Sequence, residues 1–326
     1  MILIISYEGD PHAVVVKEKL GAMREEVLLL DYAEYPANWQ ISASLDRDGK
    51  TEITFELPDR KFLGSAVRSV WYRRAKDPGA RLRYQSSALA GYIQREAKTF
   101  LRSLPHLLKA FWVSHPEAIE RASLKPLQLS VASLLGFRIP ATMVGNAPAG
   151  ITSLLGKTYG ADIVTKAVDM PYVAIDSAVQ SQNLILYTSR LSATELVANV
   201  ERTRNCPIIV QELIEKECDV RVTVVGTQVF AAAIVRETDD GRVDWRHYDL
   251  PNRYERHTLP QEIAQRCVAS VKELGLAFGC IDLGYTKSGE YVFFEINPSG
   301  QWLPSEIFAG VLISDTLAEM LARGST

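Results

Sequence analysis

Phe278-Gly279-Cys280-Ile281-Asp282-Leu283-Gly284 and Tyr291-Val292-Phe293-Phe294-Glu295-Ile296-Asn297-Pro298-Ser299-Gly300-Gln301-Trp302 are two largely apolar runs flanking the turn Lys287-Ser288-Gly289-Glu290. The pattern predicts a β-hairpin with a loop longer than the tightest type. Side chains alternate along a strand, so Glu295 and Asn297 share a face and Asp282 reaches them across the pair. An edge hairpin whose acids face water is the plainer reading. Against it, carboxylates set among Phe, Ile and Leu cost desolvation unless a cation offsets their charge. Three hard oxygen donors suit Mg²⁺, which takes a few carboxylates and leaves its other positions to water and phosphate oxygens. Asp282, Glu295 and Asn297 are therefore read as a metal site.

The rest of the chain gives that site room. Its 326 residues suggest two domains, or three small ones sharing interfaces. With 47% hydrophobic and 23% charged residues the core is ample, and a net charge of -3 gives no reason to expect nucleic acid or a membrane surface as partner. Cys206, Cys218, Cys267 and Cys280 are scattered, with no CxxC and no clustered histidine, so neither zinc nor a disulfide framework is expected. The opening Ile2-Leu3-Ile4-Ile5 is too short for a signal sequence, and no apolar run approaches a membrane span. A soluble, cytoplasmic protein is expected.

Residues 1–113 read as one α/β unit: a buried strand at 1–6, a helix at 10–23 and a strand at 26–30. A hairpin at 41–45 and 51–57, a strand at 67–72 and a long helix at 88–104 complete it. Ser6-Tyr7-Glu8-Gly9-Asp10 lacks the glycine fingerprint of dinucleotide sites, which argues against NAD. Arg73 and Arg74 follow a strand, where open α/β sheets place ligands. They can hold a carboxylate or phosphate, or form a solvated, salt-bridged loop, and the sequence favours neither.

Residues 114–205 form a second segment, with a helix ending at Gly136 and strands at 139–144, 162–168 and 185–188. A polar stretch at 169–182 has no glycine-rich phosphate loop, and the Ser192-Ala193-Thr194-Glu195 capping box starts a helix over 192–203. The third segment, 206–326, begins with antiparallel strands at 206–214, 218–226 and 229–236. It continues through a helix at 261–274 and the hairpin, and closes with a helix ending near Leu321. An α/β (α+β) architecture follows.

Lys125, Lys166, Glu212, Asp219, Arg221, Arg236 and Arg246 join Asp282, Glu295 and Asn297 as polar residues in apolar surroundings. Each alone is unremarkable on a strand that faces water. Together they supply the two charge types that phosphoryl transfer needs. The five histidines (His12, His106, His115, His247, His257) follow no catalytic spacing, so a nucleophile–base pair is not expected.

Two spaced lysines, the Gln211-Glu212-Leu213-Ile214 stretch and the Asp282…Glu295-Ile296-Asn297 set resemble the three-domain ATP-grasp superfamily. Within it, six stretches are similar to the ATP-grasp ribosomal peptide maturases, the graspetide or microviridin-type macrocyclases. They are Trp71-Tyr72-Arg73-Arg74, Ser114-His115-Pro116, the run from Arg121 to Leu129, Asp219-Val220-Arg221 leading to Gly226, Val243-Asp244-Trp245-Arg246, and Glu295-Ile296-Asn297 leading to Trp302. The resemblance spans essentially the whole chain. It implies a ligase that phosphorylates Asp or Glu side chains of a ribosomal precursor peptide, and then joins them to Ser or Thr hydroxyls or a Lys amine of the same peptide.

By the same resemblance, Lys125 and Lys166 contact ATP phosphates, backbone around Gln211, Glu212, Leu213 and Ile214 meets the adenine, and Asp219 lies in the nucleotide site. Glu212 or Glu217 takes the ribose hydroxyls. Asp282, Glu295 and Asn297 hold Mg²⁺, Arg221, Arg246 and Arg236 face the transferred phosphoryl group, and Arg73 and Arg74 meet the substrate. A leader-bearing peptide partner and a homodimer are implied. Two other readings use the same residues: a ligase adding an amino acid to a separate protein or small acid, and a peptide-binding protein without turnover.

Overall fold

The computed structural model describes residues 1–79, 87–158, 162–169, 172–176, 181–185, 188–236 and 252–326. The chain opens with β1 (Ile2–Ile5), α1 (Pro11–Ala22) and β2 (Val27–Leu30). Next come β3 (Gln40–Leu45), β4 (Thr51–Glu56) and β5 (Lys61–Leu63), an antiparallel sheet, then β6 (Ser69–Tyr72), α2 (Ser87–Leu107) and β7 (Phe111–Val113). A parallel sheet runs in the order β2-β1-β6-β7. Parallel sheets are covered on both faces, which is why β1 is apolar and buried at every position. Leu3 and Ile5 pack toward Leu101 and Leu104 of α2 and Ile53 and Phe55 of β4. The start of α1 is set locally: the Asp10 carboxylate accepts from the His12 N–H at 3.1 Å, Pro11 takes the first helical position, and the Ser6 hydroxyl donates to Asp10 at 2.7 Å.

The middle of the chain contributes α3 (Pro116–Ala122), α4 (Lys125–Leu134), β8 (Thr142–Gly145), α5 (Pro148–Lys157) and β9 (Ile163–Lys166). After these come the hairpin β10 (Tyr172–Asp176) and β11 (Ser181–Ile185), then β12 (Ser189–Leu191), α6 (Ala193–Asn199) and β13 (Ile208–Glu212). The Ser192–Glu195 capping box opens α6 as expected. Residues 186 and 187 of the strand expected at 185–188 lie outside the described residues. Ile185 ends β11, and the stretch expected to be merely polar carries β10 and the first two residues of β11. Tyr172, Val173 and Ile175 favour an extended backbone, a signal that the polar residues around them obscured.

β13 also differs from expectation. It was read with the strands that follow, but it pairs with β8 and β9 in a sheet ordered β12-β9-β13-β8. Residues 213–217 make no tight hairpin; they carry the chain into the next sheet.

That sheet is formed by β14 (Cys218–Val225), β15 (Gln228–Val235), β16 (Arg253–Arg256), β17 (Phe278–Tyr285) and β18 (Tyr291–Asn297). Its order is β16-β15-β14-β17-β18, antiparallel throughout. One face is aliphatic: Val220, Val222, Val224, Ile281, Leu283 and Ile296 pack on α4 and on α7 (Gln261–Glu273). The chain ends with α8 (Leu303–Ala309) and α9 (Ile313–Arg323).

The opposite face of this sheet is graded. At one end Val225 and Phe278 join a core with Ile2, Ile4, Val16 and Leu20 of the N-terminal lobe and Leu317 and Leu321 of α9. Moving along the strands, Thr223 and Cys280 give way to Arg221, Asp282 and Glu295. At the junction, His12 Nε2 accepts from the backbone N–H groups of Trp302 (3.2 Å) and Leu303 (3.3 Å), and its ring meets the fully buried Trp302 indole edge-on at 5.0 Å.

Burial holds the His12 imidazole below the ordinary 6.5; the Asp10 hydrogen bond opposes this and the charge of Arg73 adds to it. A group whose folded pKa is depressed stabilises the fold in its deprotonated form. Its contribution is complete above pH 6.5 and is lost as pH falls below that value. Thermal melts from about pH 8 down to about pH 5 should show a falling Tm, with a flatter slope in His12→Ala. Parallel slopes for the two proteins would rule out His12 as the titrating tie.

Candidate active site

β-Sheet register brings the central charges together. Arg221 of β14 lies opposite Asp282 of β17, and Asp282 lies opposite Glu295 of β18. Asn297 follows two residues on, opposite Cys280, so the face predicted from alternation is the face observed. The irregularity in this pair falls beyond Asp282, between Asp282 and Leu283, and leaves the register of Asp282, Glu295 and Asn297 intact.

Arg221 and Asp282 are both buried, and Arg221 Nη1 donates to Asp282 Oδ1 at 2.7 Å. Burial opposes the Arg221 charge, but Asp282, with Cys280 and Glu295 acting in the same direction, holds the guanidinium above its usual value. Its Nε and Nη2 donate to the Gln301 carbonyl at 3.2 and 2.9 Å. Glu295 is half-buried and Asn297 exposed. Asn297 Oδ1 accepts from the Ser299 N–H at 3.0 Å, which engages one of its two lone pairs. Two facing carboxylates and an amide oxygen at the open edge of a buried cation are a donor set that fits Mg²⁺.

The other expected residues surround this centre in two groups. On the central sheet, Lys166 ends β9 and pairs with Ile209 of β13. Lys125 opens α4, and its Nζ donates to the carbonyls of Val168 (3.2 Å) and Asp169 (3.4 Å), just past β9. Gln211 is buried and donates to Thr142 Oγ1 at 2.8 Å. Glu212 accepts from the Ala141 N–H at 3.1 Å, and the backbone N–H groups of Glu212 and Leu213 donate to Ala141 and Asp162. Ile214 is buried. On the C-terminal sheet, Asp219 is buried and paired with Lys216 Nζ at 2.6 Å. Arg236 is buried just past β15, its Nε donating to Asn252 Oδ1. Arg246 lies outside the described residues, with the rest of Val243-Asp244-Trp245.

Arg73 differs from both sequence readings. It is neither solvated nor open to a ligand: it is 2% exposed, and its Nη1 donates to the carbonyls of Ser299 and Gly300. Its Nε lies 3.6 Å from Asp10. Burial lowers its pKa to about 10 even with Asp10 supporting the charge. Its neighbour Arg74 is half-buried and remains the one of the pair able to meet a substrate. Sequence reasoning missed His12 and Gly300. A Cβ on Gly300 would sit 2.7 Å from Arg221 Nη2 and press into Cys280, so only glycine fits between them.

Residues 1–120 match the family model described as the MvdD pre-ATP grasp domain, and residues 161–321 match the RimK-like ATP-grasp domain. Macrocyclase MdnC of Microcystis aeruginosa MRC, solved with its precursor peptide MdnA, is 28% identical, covers 100% of both chains and superposes with a TM-score of 0.85. A RiPP-associated ATP-grasp ligase of Chryseobacterium gregarium, solved with ADP and a leader and core peptide, is 27% identical. It covers 100% of this chain and 97% of its own, with a TM-score of 0.89. The chain has the ATP-grasp fold and resembles the ATP-grasp peptide maturases. Among curated relatives, a probable alpha-L-glutamate ligase of Klebsiella pneumoniae (strain 342) is 27% identical over 93% of this chain and 97% of its own.

The ATP-grasp fold accounts for the two groups: one sheet carries Lys166, Gln211 and Glu212, with Lys125 of α4 reaching to the residues just past β9, and the other sheet carries Asp282, Glu295 and Arg221. Removing the cation from a buried pair leaves its partner's charge uncompensated. Arg221→Ala should therefore cost about 3–5 kcal/mol of stability in urea unfolding. Glu295→Gln, at a half-buried position, should change it by less than about 1 kcal/mol. Equal losses in the two variants would contradict the buried-pair account.

Proposed function

We propose that this ATP-grasp ligase activates Asp or Glu side chains of a ribosomally made precursor peptide and closes them onto other side chains of the same peptide, yielding a graspetide. The observation that carries this reading is the facing pair of Asp282 and Glu295, with Asn297 beside them, at the edge of the buried Arg221. Two relatives with the same fold support the peptide as substrate, one a macrocyclase solved with its precursor and the other solved with leader and core. ATP supplies the phosphoryl group and Mg²⁺ offsets the charge on its oxygens.

In this reading the peptide carboxylate takes the γ-phosphoryl group and becomes an acyl phosphate. A Ser or Thr hydroxyl, or a Lys amine, then attacks the acyl carbon, loses its proton and expels inorganic phosphate. The product is an ester or an amide. A carboxylate is a poor electrophile, and the phosphate is a leaving group that requires no enzyme nucleophile. Lys125 and Lys166 bind phosphate oxygens, backbone of Gln211, Glu212, Leu213 and Ile214 borders the adenine, and Asp219 closes that side. Glu212 is already bonded to Ala141, which favours the exposed Glu217 for the ribose. Arg221, Arg236 and Arg246 face the transferred group; Arg74 meets the peptide. Asp282, Glu295 and Asn297 hold Mg²⁺.

A second reading rests on the glutamate-ligase relative: the acyl phosphate is attacked by a free amino acid instead. Intact mass spectrometry separates the two, using the protein, ATP, Mg²⁺ and a Ser/Thr/Lys- and Asp/Glu-rich peptide encoded beside its gene. Loss of whole water masses is expected, and a mass gain equal to an added residue would establish the second reading. Glu295→Gln should abolish ADP formation while the fold is retained, since loss of one anionic ligand weakens Mg²⁺ binding. Wild-type turnover in that variant would overturn the metal assignment.

A further inference from the structure

Two of the histidines that the sequence scatters meet at the surface. His106 lies in the last turn of α2, His115 is the N-cap of α3, and Glu117 lies in the first turn of α3. His106 Nε2 is 3.2 Å from Glu117 Oε1, and His115 Nδ1 is 3.9 Å from Glu117 Oε2. The imidazole rings stand 5.2 Å apart, and one ligand atom from each of the three residues lies within 4.8 Å of the others. His115 makes no side-chain bond to cap α3, so capping does not fix its imidazole. The expectation of no clustered histidine is thereby corrected: α2 and β7 fold back between the two residues and close the gap.

We propose that His106, His115 and Glu117 form a binding site for a borderline divalent transition metal of the Zn²⁺ class. Two imidazoles and one carboxylate are a donor set that such ions take, and one that Mg²⁺ does not favour. In a tetrahedral zinc site, ligands about 2.0–2.2 Å from the metal stand a little over 3 Å apart. The His106–Glu117 distance already matches. His115 closes the remainder by a side-chain rotation that its 31% exposure leaves room for.

Three protein ligands leave one position to water. The three residues also line a cavity of about 260 Å³ together with Tyr72, Lys98 and Arg102, so that position has space. The site is separate from Asp282 and Glu295 and of different chemistry. Its effect is mechanical: it ties the end of α2 to α3, which is itself fastened to the end of α7 where Arg121 donates to the Glu273 carbonyl at 2.9 Å.

The test is isothermal titration of Zn²⁺ into the untagged full chain with Mg²⁺ in excess, paired with thermal melts. One Zn²⁺ per chain and a raised Tm are expected. His106→Ala and His115→Ala should each weaken binding by more than the roughly 10–100-fold that loss of an outer-shell partner costs. The metal-free Tm should stay unchanged in His106→Ala, whose side chain is about half exposed. Glu117→Gln serves in place of a histidine variant that folds poorly. Glu295→Gln should leave the zinc in place. Absence of stoichiometric binding, survival of binding in a histidine variant, or its loss in Glu295→Gln in place of the histidine variants would each overturn the proposal.

Discussion

The buried contact between Arg221 and Asp282 constrains everything around the site. Two opposite charges removed from water are tolerated only when their geometry is good and their remaining donors are satisfied. Here the second half of the guanidinium is satisfied by the Gln301 carbonyl, which fixes the loop after β18. The same loop is gripped from the N-terminal lobe by Arg73, through the carbonyls of Ser299 and Gly300. One short backbone segment therefore lies between two buried guanidiniums from different parts of the chain. Gly300 is the residue that lets them approach, and Asn297, at the start of the loop, is oriented by its bond to Ser299.

This arrangement gives the acids their character. The strands carrying Asp282 and Glu295 are packed on their aliphatic face by α4 and α7, so the polar face cannot turn away without breaking that core. The graded face of the sheet then sorts its own contacts: the apolar end holds the N-terminal lobe, and the charged end stays open at Glu295 and Asn297. Cys280, between the two ends, is fully buried, and its thiol is pushed up by burial despite Arg221 and Arg73 nearby. It behaves as a small packing residue, not a nucleophile.

Much of this was legible because it is local. The alternation around Glu295, the Asp10–Pro11 helix start and the Ser192–Glu195 capping box each depend on residues a few positions apart. What was not legible depends on distant partners. Nothing in residues 208–212 says that β13 joins β8 and β9; its pairing residues lie tens of positions upstream. The Arg73-Arg74 dipeptide reads as an exposed cation pair until Ser299 and Gly300, more than 220 positions on, cover one of them. His12 looked incidental for the same reason, since Trp302 and Leu303 are what make it structural.

The core shared by β1, α1, β17 and α9 has a consequence for how this architecture is inherited. Ser69 donates to the Leu321 carbonyl at 2.7 Å, Lys19 pairs with Asp315 at 2.7 Å, and Ile2, Ile4 and Leu20 are sealed by Leu317 and Leu321. The first hundred or so residues are thus completed by α9. Excised alone, they would present a bare aliphatic surface. Recombination that exchanges the front of one relative for that of another would succeed only where the closing helix travels with it, so the two ends of the chain must evolve as one unit.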